Sequence, residues 1–259
     1  MGGVSNRRFE DRAVLVTGAG HGIGRQVALD FAAEGALVGV NDLDPARARA
    51  TAEEVGDAGG RAMALPADIR SAEQVAAAVE EMCRTWGGVG ILVNNAGIYP
   101  NTLLVEMTDE EWDRVWGTNV RGPFLVTRAV ASRMIGAGQG GCIVNVSSGA
   151  ANRARIGASH YCSSKAAISM FTQVAALELA PHKIRVNAVA PGLVEVPDWQ
   201  LAPEYVKQLV RDTPLGRVGE PRDVSTVIRF LATDDAGFMT GAVVVVDGGA
   251  TVGQRLPRS

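Results

Sequence analysis

Short runs of apolar, largely β-branched residues alternate along this chain with longer segments whose apolar positions recur every three to four residues. Residues 13–17, 36–41, 61–67, 90–94, 141–148, 184–190 and 240–246 read as strands. Helical patterns run from the glycines after Thr17 through Glu34, from Asp44-Pro45 to about Val55, from Ser71 onward, and from Thr108 to about Ile135. Two more run through Tyr161 to Leu179 and from Glu220 to about Ala232. Gly122-Pro123 is expected to bend or loosen the 108–135 helix midway. Strand and helix in alternation predict an α/β fold, a doubly wound parallel sheet with its ligand at the C-terminal ends of the strands. One domain is expected over 13–253, with 1–12 as a loose arm and 254–259 as a polar tail. Residues 193–214, rich in proline and carrying Trp199, Leu201 and Tyr205, are expected to form a mobile lid over the substrate.

Composition narrows the function classes. With 259 residues, 47% hydrophobic, 20% charged and a formal charge of -3, the chain reads as an ordinary globular domain. No basic stripe suggests nucleic acid as a partner, and no stretch of eighteen apolar residues suggests a membrane span. Cys83, Cys142 and Cys162 are an odd, scattered set that fits thiols in a reducing, cytoplasmic compartment. His21, His160 and His182 lack ligand spacing, so no metal is expected. Arg7-Arg8 is followed by Glu10, Asp11 and Arg12 where a twin-arginine signal would need an apolar region.

The chemistry centres on Tyr161 and Lys165. Four apart on a helix, they share a face, so the ammonium can favour the phenolate and make the phenol a proton acceptor for an alcohol. The alternative is an amphipathic surface pair. Ser148, at the end of the run from Gly141, can hold the substrate oxygen. Gly18, Gly20, His21, Gly22, Ile23 and Gly24 join the first strand to the first helix, where backbone N–H groups can take a pyrophosphate. Asp42, eighteen residues past Gly24, stands where a carboxylate accepts from the adenosine ribose and repels a 2′-phosphate, with Leu43 offering no cation. NAD is thereby favoured over NADP, with His21 and the arginines of the next helix dissenting. Asp42 can also simply cap that helix. Asp68, followed by Ile69, can bind the adenine amino group or cap the helix opening at Ser71. Asn95, Ala96 and Gly97 form a turn expected to line the cofactor groove, with Asn94 tying strand ends together. Asn119 is either a polar anchor on the cofactor side or a satisfied core amide. Ile98, Tyr99 and Trp199 are candidate substrate contacts, and Arg153 and Arg155 can meet an anionic group on the substrate.

Taken in order, Thr17-Gly-x-x-x-Gly-x-Gly24, Asp68, Asn94-Asn-Ala-Gly97, Asn119, Ser148, Tyr161-x-x-x-Lys165, Pro191-Gly192 and the closing Val-Asp-Gly-Gly resemble the short-chain dehydrogenase/reductase family from Ala13 to Gly249. The resemblance implies a Rossmann fold, a nicotinamide cofactor and a catalytic tetrad. Tyr161 would be the acid/base, Lys165 would bind the nicotinamide ribose, Ser148 would position the carbonyl or hydroxyl, and Asn119 would order a water. It places Pro191, Gly192 and Val194 beside the cofactor. Val196 departs from the family's usual threonine at that position. The resemblance also implies a homotetramer built on the helices around 108–135 and 160–180. The activity expected is hydride transfer between NAD(H) and a secondary alcohol or ketone. The alternatives are an NADPH-dependent reductase of 3-oxoacyl groups on a carrier protein or coenzyme A, which Arg121, Arg128 and Arg133 would serve by attracting an acidic partner, and a non-catalytic NAD-binding protein.

Overall fold

A computed structural model of the chain describes residues 7–196 and 203–253. Seven strands form one parallel sheet in the order β3-β2-β1-β4-β5-β6-β7. They are β1 (Ala13–Thr17), β2 (Leu37–Asp42), β3 (Arg61–Pro66), β4 (Ile91–Asn94), β5 (Gly141–Val146), β6 (Ile184–Pro191) and β7 (Val243–Val246). The helices are α1 (Gly22–Ala33), α2 (Pro45–Asp57), α3 (Ala72–Trp86), α4 (Asp109–Trp116), α5 (Gly122–Ala137), α6 (Ser159–Leu179), α7 (Pro203–Asp212) and α8 (Pro221–Ala232). β1, β2 and β4 are buried throughout, which is why their sequences are continuous apolar runs rather than alternations. Strand order reverses between β1 and β4, so the loops leaving those strands diverge and open a crevice at their C-terminal ends.

Two apolar clusters cover the two faces of the sheet. Val16, Val38, Val93 and Val144 meet Phe31 of α1 and Ile228 of α8 on one side. Leu15, Leu92, Ile143 and Val186 meet Met82 of α3 and Val130 of α5 on the other. Buried asparagines tie elements together below the crevice: Asn94 Nδ2 donates to Thr127 Oγ1 and to Asn145 Oδ1, both at 2.9 Å, and Asn145 Nδ2 donates to Thr172 Oγ1 at 2.9 Å. The Asn94 and Asn145 amide N–H groups named here are paired, whereas Asn94 Oδ1 is buried without a partner among the described residues, so the polar row fixes register at the cost of one unsatisfied acceptor.

Three features depart from the expectations above. Residues 7–12 are docked rather than loose: Phe9 is fully buried edge-on to Phe31 at 4.7 Å, and Arg8 is held to Glu34 at 2.6 Å. Within 108–135 the break comes before the Gly-Pro pair, as a π-helical turn over Gly117–Arg121, after which Pro123 sits in the first turn of α5, where its missing N–H costs nothing. The 193–214 segment contains the helix α7. Trp199 and Leu201 lie outside the described residues.

Candidate active site

The loops that leave β1 and β4 touch. Gly18 has φ +62°, and a side chain there would meet the Ala96 Cα at 2.8 Å, so the two turns pack backbone to backbone only because glycine stands at this position. Asn95 locks the contact, its Nδ2 donating to Thr17 O and Gly18 O at 3.0 Å each, while Thr17 Oγ1 accepts from the N–H groups of Asn95 and Ala96. The N-cap of α1, His21, makes no side-chain cap, so the first-turn N–H groups, through Gly24, face the crevice without a protein acceptor from a cap.

Asp42 closes the far end of this cradle. Its buried carboxylate accepts from Gly20 N at 2.9 Å through Oδ2 and from Asp44 N at 3.0 Å through Oδ1. Capping of α2 falls instead to Asp44, which accepts from the N–H groups of Ala46 and Arg47. A side chain at Gly20 would begin 2.6 Å from Arg47 Cβ and 2.7 Å from Asp42 Oδ2, so glycine, carboxylate and arginine stem crowd one spot. His21 Nδ1 is 4.0 Å from Asp42 Oδ2, and Arg47 Nε is 3.7 Å from Asp44 Oδ2. Leu43 is exposed. Uncapped N–H groups, a glycine surface and a fixed acid are the donor set a dinucleotide requires, so these residues fit such a cofactor.

At Asp68 the carboxylate is spoken for: Arg70 holds it through Nε and Nη2, down to 2.7 Å, and this keeps its pKa below the usual carboxylate range despite burial. Ser71 caps α3 by accepting from Gln74 N. The Ile69 side chain is turned into the core, where a side chain at Gly122 would collide with it at 2.5 Å.

Toward the other end of the crevice, β5 ends at Val146 and Ser147 binds α6, donating to Lys165 O at 3.0 Å. Ser148 follows as the N-cap of a short 3-10 turn over Gly149–Ala151, its Oγ accepting from Ala150 N at 3.1 Å. Tyr161 reaches the same place from the first turn of α6, close enough for the Ser148 side chain to lower its pKa against the effect of burial. One turn on, Lys165 is buried, its Nζ donating to Val146 O at 2.8 Å and standing 5.8 Å from the centre of the Tyr161 ring. Asn119, in the π-helical turn, accepts from Ile98 N and donates to Ile98 O, each at 2.9 Å, and to Ser164 Oγ at 3.1 Å. Both its amide hydrogens are used, which leaves one Oδ1 lone pair for any further partner. The four groups converge: a side chain at Gly97 would begin 3.2 Å from Asn119 Oδ1 and 3.5 Å from Lys165 Nζ.

The electrostatics differ from the sequence expectation. Burial pushes the Tyr161 phenol above 10.0, opposed by the Ser148 hydrogen bond and by the charge of Arg155. Lys165 is itself pushed down to about 8 by burial, with no carboxylate beside it. Spacing predicted the pair but not how completely the chain encloses it.

Two residues beside the site, His160 and Glu111, carried no sequence signal for the role they take. His160 is fully buried, its Nδ1 accepting from Tyr161 N at 2.8 Å; the ring proton is therefore on Nε2, which faces Glu111 Oε1 at 3.0 Å. Glu111 is held below its usual pKa by Thr102 first and His160 next. The closing Asp247 accepts from Gly249 N and Thr251 N at 2.8 Å each, and the turn so formed takes Arg153 Nη1 on Ala250 O at 2.9 Å, bracing the loop after Ser148. Pro191, Gly192 and Val194 leave β6 nearby, and Val196 reaches back until a side chain at Gly22 would touch its Cγ1 at 3.1 Å. Tyr99, 58% exposed, stands edge-on to Tyr161 with ring centres 6.2 Å apart.

A doubly wound sheet whose switch-point loops fit a dinucleotide, with a serine, a tyrosine and a lysine beside them, has the arrangement an oxidoreductase needs. The comparisons agree. A family model described as enoyl-(acyl carrier protein) reductase matches residues 18–251. The chain is 41% identical over 254 residues to a (3R)-3-hydroxyacyl-CoA dehydrogenase of Mus musculus, covering 95% of this chain and 98% of that one. A short-chain type dehydrogenase/reductase from Mycobacterium marinum superposes with a TM-score of 0.92 at 35% identity, covering 96% and 99% of the two chains. A 3-oxoacyl-[acyl-carrier protein] reductase from Brucella melitensis with bound NAD gives 0.88 at 37% identity, covering 95% and 94%. The chain belongs to the short-chain dehydrogenase/reductase family. It is an oxidoreductase acting on CH–OH groups and the corresponding ketones, and its cofactor is a nicotinamide dinucleotide. Among the described residues no helix is long and apolar enough to cross a membrane.

Proposed function

We propose that the protein transfers hydride between NAD(H) and a secondary alcohol or ketone, with Tyr161 as acid/base. The observation that carries this reading is the junction of Tyr161, Ser148 and Lys165 at one end of a crevice whose other end is the buried carboxylate of Asp42. When bound, the nicotinamide supplies the hydride carrier. In the oxidation direction Ser148 Oγ would hold the substrate hydroxyl and Tyr161, in its phenolate form, would take its proton while the carbinol hydride leaves to the carrier, so the carbonyl forms without a charge left on oxygen. A second role follows for Lys165: its ammonium favours the phenolate and can donate to a ribose hydroxyl. Asn119 fixes the 97–98 backbone through Ile98 and has one lone pair with which to order a water. Tyr161→Phe tests this, and is expected to lower kcat about 10²–10⁴-fold with cofactor affinity retained. Turnover above a few per cent of the parent enzyme would reject the assignment.

Asp42 supports NAD, because a 2′-phosphate would meet a carboxylate already fixed by two backbone N–H groups. Arg47 and His21 lie close enough to favour a second reading, an NADPH-dependent 3-oxoacyl reductase. The arginines invoked for an acidic carrier speak less for it: Arg133 is paired with Glu80, Arg121 with the Arg70 carbonyl, and Arg128 lies over Phe124 at 5.0 Å.

Assembly as a homotetramer through α5 and α6 is supported by exposed Phe124, Ile135, Met170, Val174 and Leu177 on those helices. Free Cys83, Cys142 and Cys162, the last two on β5 and α6, support a reducing cytoplasmic compartment.

A further inference from the structure

The loop from Ser148 to α6 carries two arginines that the sequence could not tell apart, and the structure separates them. Arg153 is spent on the Ala250 carbonyl. Arg155 lies over the Tyr161 ring, its guanidinium carbon 5.5 Å from the ring centre. It is exposed, and among the described residues no carboxylate pairs with it. Two cations therefore lie near one phenol with different accessibility: Lys165 is buried and bonded to Val146 O, whereas Arg155 is exposed.

We propose that Arg155 selects the substrate by pairing with a carboxylate the substrate carries a few bonds from its carbinol carbon. This rests on the oxidoreductase reading above and names its substrate class. The guanidinium carbon lies 5.5 Å from the centre of the ring that bears the reacting phenol, so a carboxylate held by Arg155 belongs close to the carbinol carbon, roughly two to four bonds away when each hydrogen bond spans about 2.7–2.8 Å. The guanidinium fork matches a carboxylate with two parallel hydrogen bonds, and an exposed, unpaired arginine gives up no existing ion pair to make them. A thioester would present only a neutral carbonyl at this distance, with its charges far along the carrier. Arg155 also touches the chemistry, because its charge opposes the rise in the Tyr161 pKa. Its removal therefore changes every substrate's pH profile somewhat, and only the ratio between charged and neutral substrates reports the pairing.

The test is kcat/KM for reduction of 3-oxobutanoate, 4-oxopentanoate and 5-oxohexanoate, each against its methyl ester, by the parent enzyme, Arg155→Ala and Arg155→Lys across pH, with NADH and with NADPH. For at least one skeleton the acid is expected to exceed its ester about tenfold in the parent enzyme. Arg155→Ala should lower the acid-to-ester ratio about tenfold or more, mainly through KM, and Arg155→Lys should recover part of it. An unchanged ratio, or no preference for any acid, overturns the proposal. Absence of acid turnover in a preparation that binds NADH or NADPH by calorimetry overturns it as well and leaves the oxidoreductase reading standing. Binding of neither cofactor overturns both.

Discussion

Lys165 is held where an ammonium is poorly solvated, and the consequences for stability and for catalysis have opposite signs. Its pKa of about 8 in the folded protein, against 10.5 ordinarily, means that the unfolded chain binds the proton more tightly. Below pH 8 both states are protonated and the penalty for burying the charge is present in full. Between 8 and 10.5 the unfolded state holds a proton that the folded state has released, so stability rises with pH. Lys165→Met should abolish that rise in cofactor-free protein, as read from Tm between pH 7 and 10, and should remove activity. An identical slope in the variant would show that the titrating group lies elsewhere. That Tyr161 and Lys165 stand on one face was legible from their spacing, since any helix brings i and i+4 together. The direction of the tyrosine shift was not, because it depends on how much chain closes over the ring. Asn119 left two readings open in the sequence. Its side chain is satisfied by Ile98 and Ser164, yet it stands against Gly97 and Lys165, so it is both a bonded amide and a wall of the site.

At the level of elements, the position of Tyr161 depends on how α6 begins. The second helical residue, His160, takes the Tyr161 N–H that the helix itself leaves unpaired, and anchors to Glu111 of α4. His160→Ala should destabilise the protein by about 1–3 kcal/mol through the buried donor left behind, a fall in Tm of roughly 2–4 °C per kcal/mol for a domain this size. It should also lower kcat more than it weakens cofactor binding. His160→Asn, whose Oδ1 can take the same N–H, should recover part of kcat. Equal activity in both variants would leave His160 a packing residue. A histidine without ligand spacing gave no hint of this role, since its partners come from one residue on and from another helix. The π-helical turn at Gly117–Arg121 was half legible: Gly122-Pro123 announced a break, but not that the chain would bulge ahead of the proline and bury Asn119 there. The helix α7 was masked by the prolines around it, which read as loop although Pro203 stands at the first position, where proline favours a helix.

For the whole molecule, the seven-stranded sheet was almost entirely legible, because buried parallel strands announce themselves as apolar runs and helical spacing fills the gaps between them. The docking of residues 7–12 was not, since Phe9 is a single apolar residue among charges. Exposed Met170, Val174 and Leu177 on α6 leave an apolar strip that assembly would cover. Leu177→Glu should shift the protein to smaller species in light scattering after size exclusion, and an unchanged mass would move the interface off α6. The two ends of the crevice make the central claim of the account: a proton-transfer site at Tyr161 served by a cofactor whose ribose meets Asp42. Calorimetric titration with NADH and then NADPH tests it most directly, since no substrate need be known. Tight NADH with NADPH weaker by tenfold or more is the result expected, lost when Asp42 is replaced by alanine; tight NADPH with weak NADH would contradict it and assign the cradle to the arginine and histidine beside that carboxylate.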